Sequence, residues 1–278
     1  MREIAKKILT ERLVEIEKYF DADCLFYYGQ ITEGNITGIH KLIIELADER
    51  KHTSLIVILT TGGGSILAVE RFVNLLRYHY SKIIFVVPDY AYSAGTIFCM
   101  SGDELYMDYY GVLGPIDPQV QNKDGKWVAA LGYLDKINNM IEKSLNNELS
   151  PAEYLILKEF DLGTLREYEQ ARNHSKDLLI KYLVDYKFKN WSATETRKET
   201  VTLEMKHRKA AEIAERLGSN EWYSHGRPIN IVKLTELGIR VHDYSDETEL
   251  KKILNDYYYP MVDFLNDGDL FIHTRRFF

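Results

Sequence analysis

The sequence predicts an α/β protein built on a mostly parallel sheet, and three observations lead there. Leu55–Leu59 and Ile83–Val87 are continuous apolar runs of strand length, the pattern of strands buried on both faces. Each run enters a glycine-containing turn, Thr60–Gly64 in the first case and Tyr92–Thr96 in the second, and each turn opens a helical pattern. Strand and helix then alternate at the spacing of right-handed crossovers, which sets consecutive strands parallel and side by side.

Taken in order, residues 3–20 carry Ile4, Ile8, Leu9, Leu13, Ile16 and Phe20 as a helical stripe. Cys24–Tyr28 is a short strand, Gly29–Gly34 a loop, and Asn35 the expected N-cap of a helix over Asn35–Glu49 that turns Ile36, Ile39, Leu42, Ile43 and Leu46 inward. Helix Ile66–Tyr78 follows the first turn. A short helix ending near Met100 follows the second, then a strand over Glu104–Met107. From Lys126 the texture becomes helical and polar: Val128–Leu145, Pro151–Leu157 and Leu162–Tyr186 read as helices. A polar loop, Lys187–Thr200, is expected to be anchored by Trp191, and Thr202–Leu217 is a further helix. Trp222–Ile229 is a loop, Asn230–Leu237 a short helix closed by Gly238, and Ile239–Val241 a last strand. The stretch from Asp246 to Phe278 is acidic and aromatic, a packing arm or an interface tail. The expected division is an N-terminal helix over 1–22, a main domain over 23–245 with a helical insertion at about 126–220, and a C-terminal arm over 246–278.

Composition narrows the function. A formal net charge of −7 argues against nucleic acid or an anionic membrane as partner. Two cysteines in apolar runs, Cys24 and Cys99, fit buried thiols in a reducing, cytoplasmic setting. No apolar run reaches membrane-spanning length, so no integral membrane segment is expected, and the N-terminus reads as an amphipathic helix and not a signal peptide. No His or Cys pair has metal-ligand spacing, so neither metal nor cofactor is expected.

The two turns suggest chemistry. A serine is a weak nucleophile until a base takes its proton, and the oxyanion that follows attack needs hydrogen-bond donors. Ser93 sits where a strand stops and a helix starts, with small neighbours Ala94 and Gly95 that admit a substrate. The N–H of Ala94 and that of Gly64, on the adjacent strand end, are candidate oxyanion donors, with Gly63 in support. Each turn alone has a structural reading, Ser93 as an N-cap and the glycines as a permissive bend. Phosphate cradling is disfavoured, because Gly62-Gly63-Gly64-Ser65 has neither the Lys-Ser/Thr of a P-loop nor GxGxxG spacing.

The words LTTGGG, VPDYAYSAGT, MSGDE and GPIDPQ, all between residues 55 and 120, resemble the serine dehydrogenase proteinase family, relatives of signal peptide peptidase A within the ClpP/crotonase superfamily. WYSHGRPI and the LGI after it continue the likeness to about residue 241. The resemblance implies a ClpP-like spiral of ββα units, Ser93 as nucleophile, oxyanion donors at Gly64 and Ala94, a peptide or protein substrate and assembly into a homo-oligomer. The base stays open. The histidine that Clp peptidases place downstream of the serine is replaced here by Gly114-Pro115-Ile116-Asp117. Signal peptide peptidases use a lysine at the start of a later helix, and Lys136 falls in a comparable place; it must shed its solvation to be neutral. His225 is the rival, oriented by Asp117, with the partners exchanged in chain order. Two other functions fit the same fold: a crotonase-like acyl-thioester enzyme, which keeps the oxyanion hole but needs no serine, and a binding or scaffold protein with a degenerate site.

Overall fold

The computed structural model describes residues 2–49, 51–122, 125–194, 199–265 and 270–276. The chain begins α1 (Arg2–Phe20), β1 (Asp23–Tyr28), α2 (Ile36–Asp48), β2 (Ser54–Thr60), α3 (Ile66–His79), β3 (Lys82–Val87), β4 (Tyr90–Ala91), α4 (Ala94–Met100), β5 (Glu104–Met107) and β6 (Val112–Leu113). It continues β7 (Gln119–Gln121), β8 (Trp127–Ala129), α5 (Ala130–Leu145), α6 (Pro151–Glu159), α7 (Leu162–Tyr182), α8 (Leu203–Leu217), α9 (Ile231–Leu237), β9 (His242–Asp243), α10 (Thr248–Phe264) and β10 (Phe271–His273).

The main sheet has six strands in the order β10-β1-β2-β3-β5-β9, and every pairing is parallel except that of β10 with β1. The apolar runs are continuous because both faces are covered. Leu55, Val57 and Leu59 of β2 join Ile83, Phe85 and Val87 of β3 in one core cluster, with side chains from α2, α3, α4, α7, α8 and α9. The alternate residues, Ile56, Ile58, Ile84 and Val86, pack on the other face against α1 and α10. The fold is thus a helix–sheet–helix sandwich whose strands end together on one edge, where the sheet places its ligands.

The helical second half supports that edge. Leu178, Leu179, Tyr182 and Leu183 share a cluster with Ile97 and Phe98, so α7 packs on α4. α8 and α5 both pack against α7. Ser150 and Glu153 form a reciprocal capping box on α6, while Asp161, Thr202 and Asn230 cap α7, α8 and α9. Gly238 ends α9 at φ +89°, as its place after the helical pattern suggests.

Several expectations shift. Asn35 precedes α2, but its side chain makes no cap; its amide donates to the Gln30 carbonyl at 3.1 Å instead. Leu162–Tyr186 is not one α-helix, for Leu183–Lys187 widens into a π-helical turn. The last parallel strand is His242–Asp243 and not Ile239–Val241, since Ile239 is drawn into the core. Trp191 does anchor its loop, edge-on to Phe188 with ring centroids 5.5 Å apart; residues 195–198 of that loop lie outside the described residues.

The C-terminal stretch packs on its own chain; residues 266–269 and 277–278 of it are outside the described set. α10 lies against α1, and β10 adds an antiparallel edge to β1. Arg275 reaches Glu17 at 2.5 Å and Asp23 at 2.8 Å, and Tyr80 donates to Asp23 at 2.9 Å. Losing one partner of a buried pair costs about 3–5 kcal/mol, so these contacts hold the tail firmly. Beside them His273 is fully buried, with Nδ1 2.8 Å from the Tyr257 hydroxyl and Nε2 3.3 Å from that of Thr10. Burial pushes its pKa down to about 3.

A histidine with a depressed folded pKa favours folding while it is neutral in both states. The unfolded chain takes up the proton first, near pH 6.5, so stability falls between about pH 6.5 and 3 with a slope of up to about 1.4 kcal/mol per pH unit from this group. Urea titrations at several pH values are expected to show a shallower acid limb for His273→Gln than for wild type; equal limbs would contradict the assignment.

Candidate active site

The two glycine-containing turns meet because backbone strands β2 and β4 are stitched together beyond their ends. The Thr61 N–H donates to the Tyr90 carbonyl, and the Tyr92 N–H donates to the Thr61 carbonyl, each at 3.0 Å. Gly63, at φ +107°, touches the second turn: a Cβ there would stand 2.9 Å from Ser93 Cβ and from the Tyr92 carbonyl. Gly64, at φ +138°, passes so close to Ile31 that a Cβ would meet its carbonyl oxygen at 2.1 Å. That approach is a parallel bridge made by neighbouring atoms, with the Ile31 N–H donating to Gly63 O at 2.9 Å and the Ser65 N–H to Ile31 O at 2.8 Å. Alternation along the strand therefore turns the Gly64 amide to the opposite side. Gly62 has open space where its Cβ would be, so of the three glycines it is the one the backbone does not demand.

Ser93 adopts φ 54°, ψ −118°, a conformation that L-residues avoid. It occupies the N-cap position of α4, yet its side chain makes no cap hydrogen bond. The simple N-cap reading therefore fails: the half-buried hydroxyl is left for other work. Gly95 allows the helix to start here, for a Cβ would lie 2.4 Å from Thr61 Cγ2.

The segment that leaves this turn carries a carboxylate to a second group. Thr96 Oγ1, buried, accepts from the Gly114 N–H at 3.0 Å and lies 2.8 Å from the Gly114 carbonyl, tying α4 to Gly114–Asp117. Asp117 is itself buried, and its Oδ1 is 2.9 Å from His225 Nδ1, while Gln119 Nε2 donates to Oδ2 at 3.3 Å. The His225 loop is pinned by an antiparallel bridge between Leu113 and Ile229. With its Nδ1–H donated to Asp117, a neutral His225 has Nε2 free to accept a proton. Lys136 sits on an exposed face of α5. Asp117, Lys136 and His225 line one cleft of about 590 Å³, with Asp135, Asn139 and Trp222. Ser93 is not in that lining. The residues thus fall into two groups, Gly63, Gly64, Ser93 and Ala94 at the turns and Asp117, Lys136 and His225 in the cleft, joined by the Gly114–Asp117 segment. Among the described residues no cluster of three side chains could ligate a metal.

Thr96 and Ile31 escaped the sequence reading. A lone threonine inside an apolar helix gave no sign of its tie to Gly114, and the bridge at Ile31 comes from a strand extension with no pattern of its own.

A serine on a strained strand-to-helix turn beside a glycine turn can present a hydroxyl to a bound carbonyl, the chemistry of an acyl-transferring serine. Comparison with known proteins narrows the class: residues 36–145 match the family described as ClpP-like SDH-type serine proteinase. The resemblance carried by the LTTGGG, YSAGT and GPIDPQ words is to this family, and the match takes in both turns, Asp117 and Lys136 but not His225. Two uncharacterized proteins of Methanocaldococcus jannaschii are similar, one 30% identical over 67% of this chain and 51% of its own length, the other 39% identical over 23% of this chain and 22% of its own. The chain thus spans about half or less of these curated relatives. Among solved structures, a variant of the 1510-N membrane-bound stomatin-specific protease, in complex with a substrate peptide, aligns with 83% of this chain and 78% of its own at 17% identity and a TM-score of 0.48. ClpP1 from Listeria monocytogenes aligns with 84% and 98% at 11% identity and a TM-score of 0.43. No helix among the described residues is long and apolar enough to cross a membrane.

Strain at Ser93 makes a measurable claim. Glycine already outranks alanine at an N-cap, and φ 54° is expected to widen the margin, with Ser93→Gly more stable than Ser93→Ala by at least about 1 kcal/mol. Chemical denaturation of both variants reads this, and an Ala variant at least as stable as the Gly variant would show that the turn is relaxed.

Proposed function

We propose that this chain is a serine peptidase that cleaves peptide bonds through a Ser93 acyl-enzyme. The observation that carries the reading is the Ser93 turn itself: a strained serine with no cap to make, pressed against Gly63, within a segment similar to SDH-type serine proteinases. In this reading Ser93 Oγ attacks the scissile carbonyl. The N–H groups of Gly64 and Ala94 receive the oxyanion, each contributing in the range of about 3–4 kcal/mol of transition-state stabilisation seen for such donors. The base that took the Ser93 proton gives it to the departing amine as the intermediate collapses, and water, deprotonated by the same base, then hydrolyses the ester and returns the proton to Ser93.

For the base, the hydrogen bond from His225 to buried Asp117 favours His225, because it holds one tautomer with Nε2 as acceptor. Lys136 is the second reading, favoured by its place in the same cleft as that pair. It stands exposed, so substrate binding would have to desolvate it before it could serve as a base.

A fluorophosphonate probe separates these. Wild type is expected to label at Ser93 and Ser93→Ala not at all. His225→Ala is expected to label at least about 100-fold more slowly, in the range general-base loss produces, while Lys136→Ala stays near wild type. The reverse pattern for the last two variants assigns the base to Lys136. An unlabelled wild type, or equal labelling of Ser93→Ala, rules out the peptidase reading.

A further inference from the structure

The hydrogen bonds of the cleft run one residue beyond His225 and Asp117. Asp117 is buried, and among the described residues its carboxylate has two partners. His225 Nδ1 lies 2.9 Å from Oδ1, and Gln119 Nε2 donates to Oδ2 at 3.3 Å.

The backbone around Asp117 is fixed on both sides. The Ile116 N–H donates to the Leu217 carbonyl at 2.9 Å, and Thr96 holds Gly114. The Ala130 N–H donates to the Pro118 carbonyl at 3.0 Å. These bonds do not fix the carboxylate, because the last torsion of an aspartate is broad and two-fold. Its plane is set by what its two oxygens bond. With one donor in place of two, the group can swing, and its buried second oxygen is left without a partner, a state that folded chains avoid.

Both the sequence and the β7–β8 hairpin place Gln119 for this task. Pro118 keeps the residue before it extended, and in an extended chain residues two apart share a side, so Asp117 and Gln119 face the same way. Val120 turns to the other side, against Ala130, Leu134 and Tyr168. Across the hairpin Gln119 pairs with Ala129, the residue before α5. An ionised carboxylate only accepts, so the amide presents its N–H half and the bond has one sense. The amide is also neutral. It aligns the acid and leaves the negative charge to the imidazolium that forms when His225 takes a proton.

We propose that Gln119 is a positioning residue for the reaction: by holding Asp117 it fixes the His225 ring in the tautomer and orientation that take the Ser93 proton. The proposal rests on the peptidase reading with His225 as base.

The test reads the imidazole itself, by nuclear magnetic resonance of the full chain carrying Ser93→Ala and nitrogen-15 histidine, about two pH units above the ordinary histidine value. Ring signals missing from the His225→Gln spectrum identify His225. In the parent the proton is expected on Nδ1 in at least about tenfold excess over Nε2, the size of a hydrogen bond to a charged group. Gln119→Glu keeps the shape but turns an acceptor towards Asp117, and Gln119→Met removes the polar group. Gln119 is half-buried on a short hairpin outside the main sheet, so both variants are expected to fold. Each is expected to lower the Nδ1 excess at least about threefold, the lower end of what one hydrogen bond contributes. The second readout is the rate at which a fluorophosphonate labels Ser93 in the chain with its serine restored. Both variants are expected to slow it at least about tenfold, yet to change it by less than about twofold once His225→Ala is present, because residues that act through one another are not additive. A parent with the proton on Nε2, an unchanged tautomer in both variants, or an equal slowing with and without His225 would overturn the positioning role. A tautomer that shifts in both variants while wild-type Ser93 resists the probe keeps the positioning of His225 and removes the nucleophile.

Discussion

The contact on which the site depends is the backbone of Gly63 against the Cβ of Ser93. There is no room for a side chain between them, since a Cβ at Gly63 would sit 2.9 Å from that of Ser93. The approach is held by the paired bonds of Thr61 with Tyr90 and Tyr92, which are in turn fixed by the parallel register of β2 on β3. It also forces Ser93 out of the ordinary conformational regions, because the chain must turn from strand to helix within one residue while avoiding Gly63. Strain of this kind costs of order 1–3 kcal/mol and persists only where the surroundings over-determine it. Here they do: every residue of α4 is buried, and α7 packs down on it.

That dependence explains why the helical second half belongs to the function. α7 carries no candidate catalytic residue, yet it presses α4 into the sheet. α5 and the Trp222–Ile229 loop form the walls of the cleft that holds Lys136 and His225. Thr96 links the two regions, bonding Gly114 from within α4 and so setting where Asp117 begins. On β4 and its extension the rings of Tyr90 and Tyr92 stack 5.5 Å apart.

Much of this was legible in the sequence because its causes are local. Continuous apolar runs at Leu55–Leu59 and Ile83–Val87 follow from burial on both faces, and Gly63 and Gly64 stand where positive φ and close approach demand glycine. Gly238 marks a helix end for the same reason. What was not legible is set by distant parts of the chain. The β7–β8 hairpin is short and only partly buried, so it leaves no strong alternation. The antiparallel addition of β10 to β1 joins segments from opposite ends of the chain, and the π-helical turn at Leu183–Lys187 continues a helix with no break in the sequence pattern to mark it. The His225–Asp117 bond spans 108 residues, and the resemblance could suggest the pair but not its geometry.

The central claim is that the paired turns form an oxyanion site around Ser93. A crystal structure of the fluorophosphonate adduct tests it most directly. The account predicts a bond from phosphorus to Ser93 Oγ, with the phosphoryl oxygen about 2.7–3.1 Å from the N–H nitrogens of both Gly64 and Ala94. An adduct on any other residue, or a phosphoryl oxygen turned away from both amides, would contradict it.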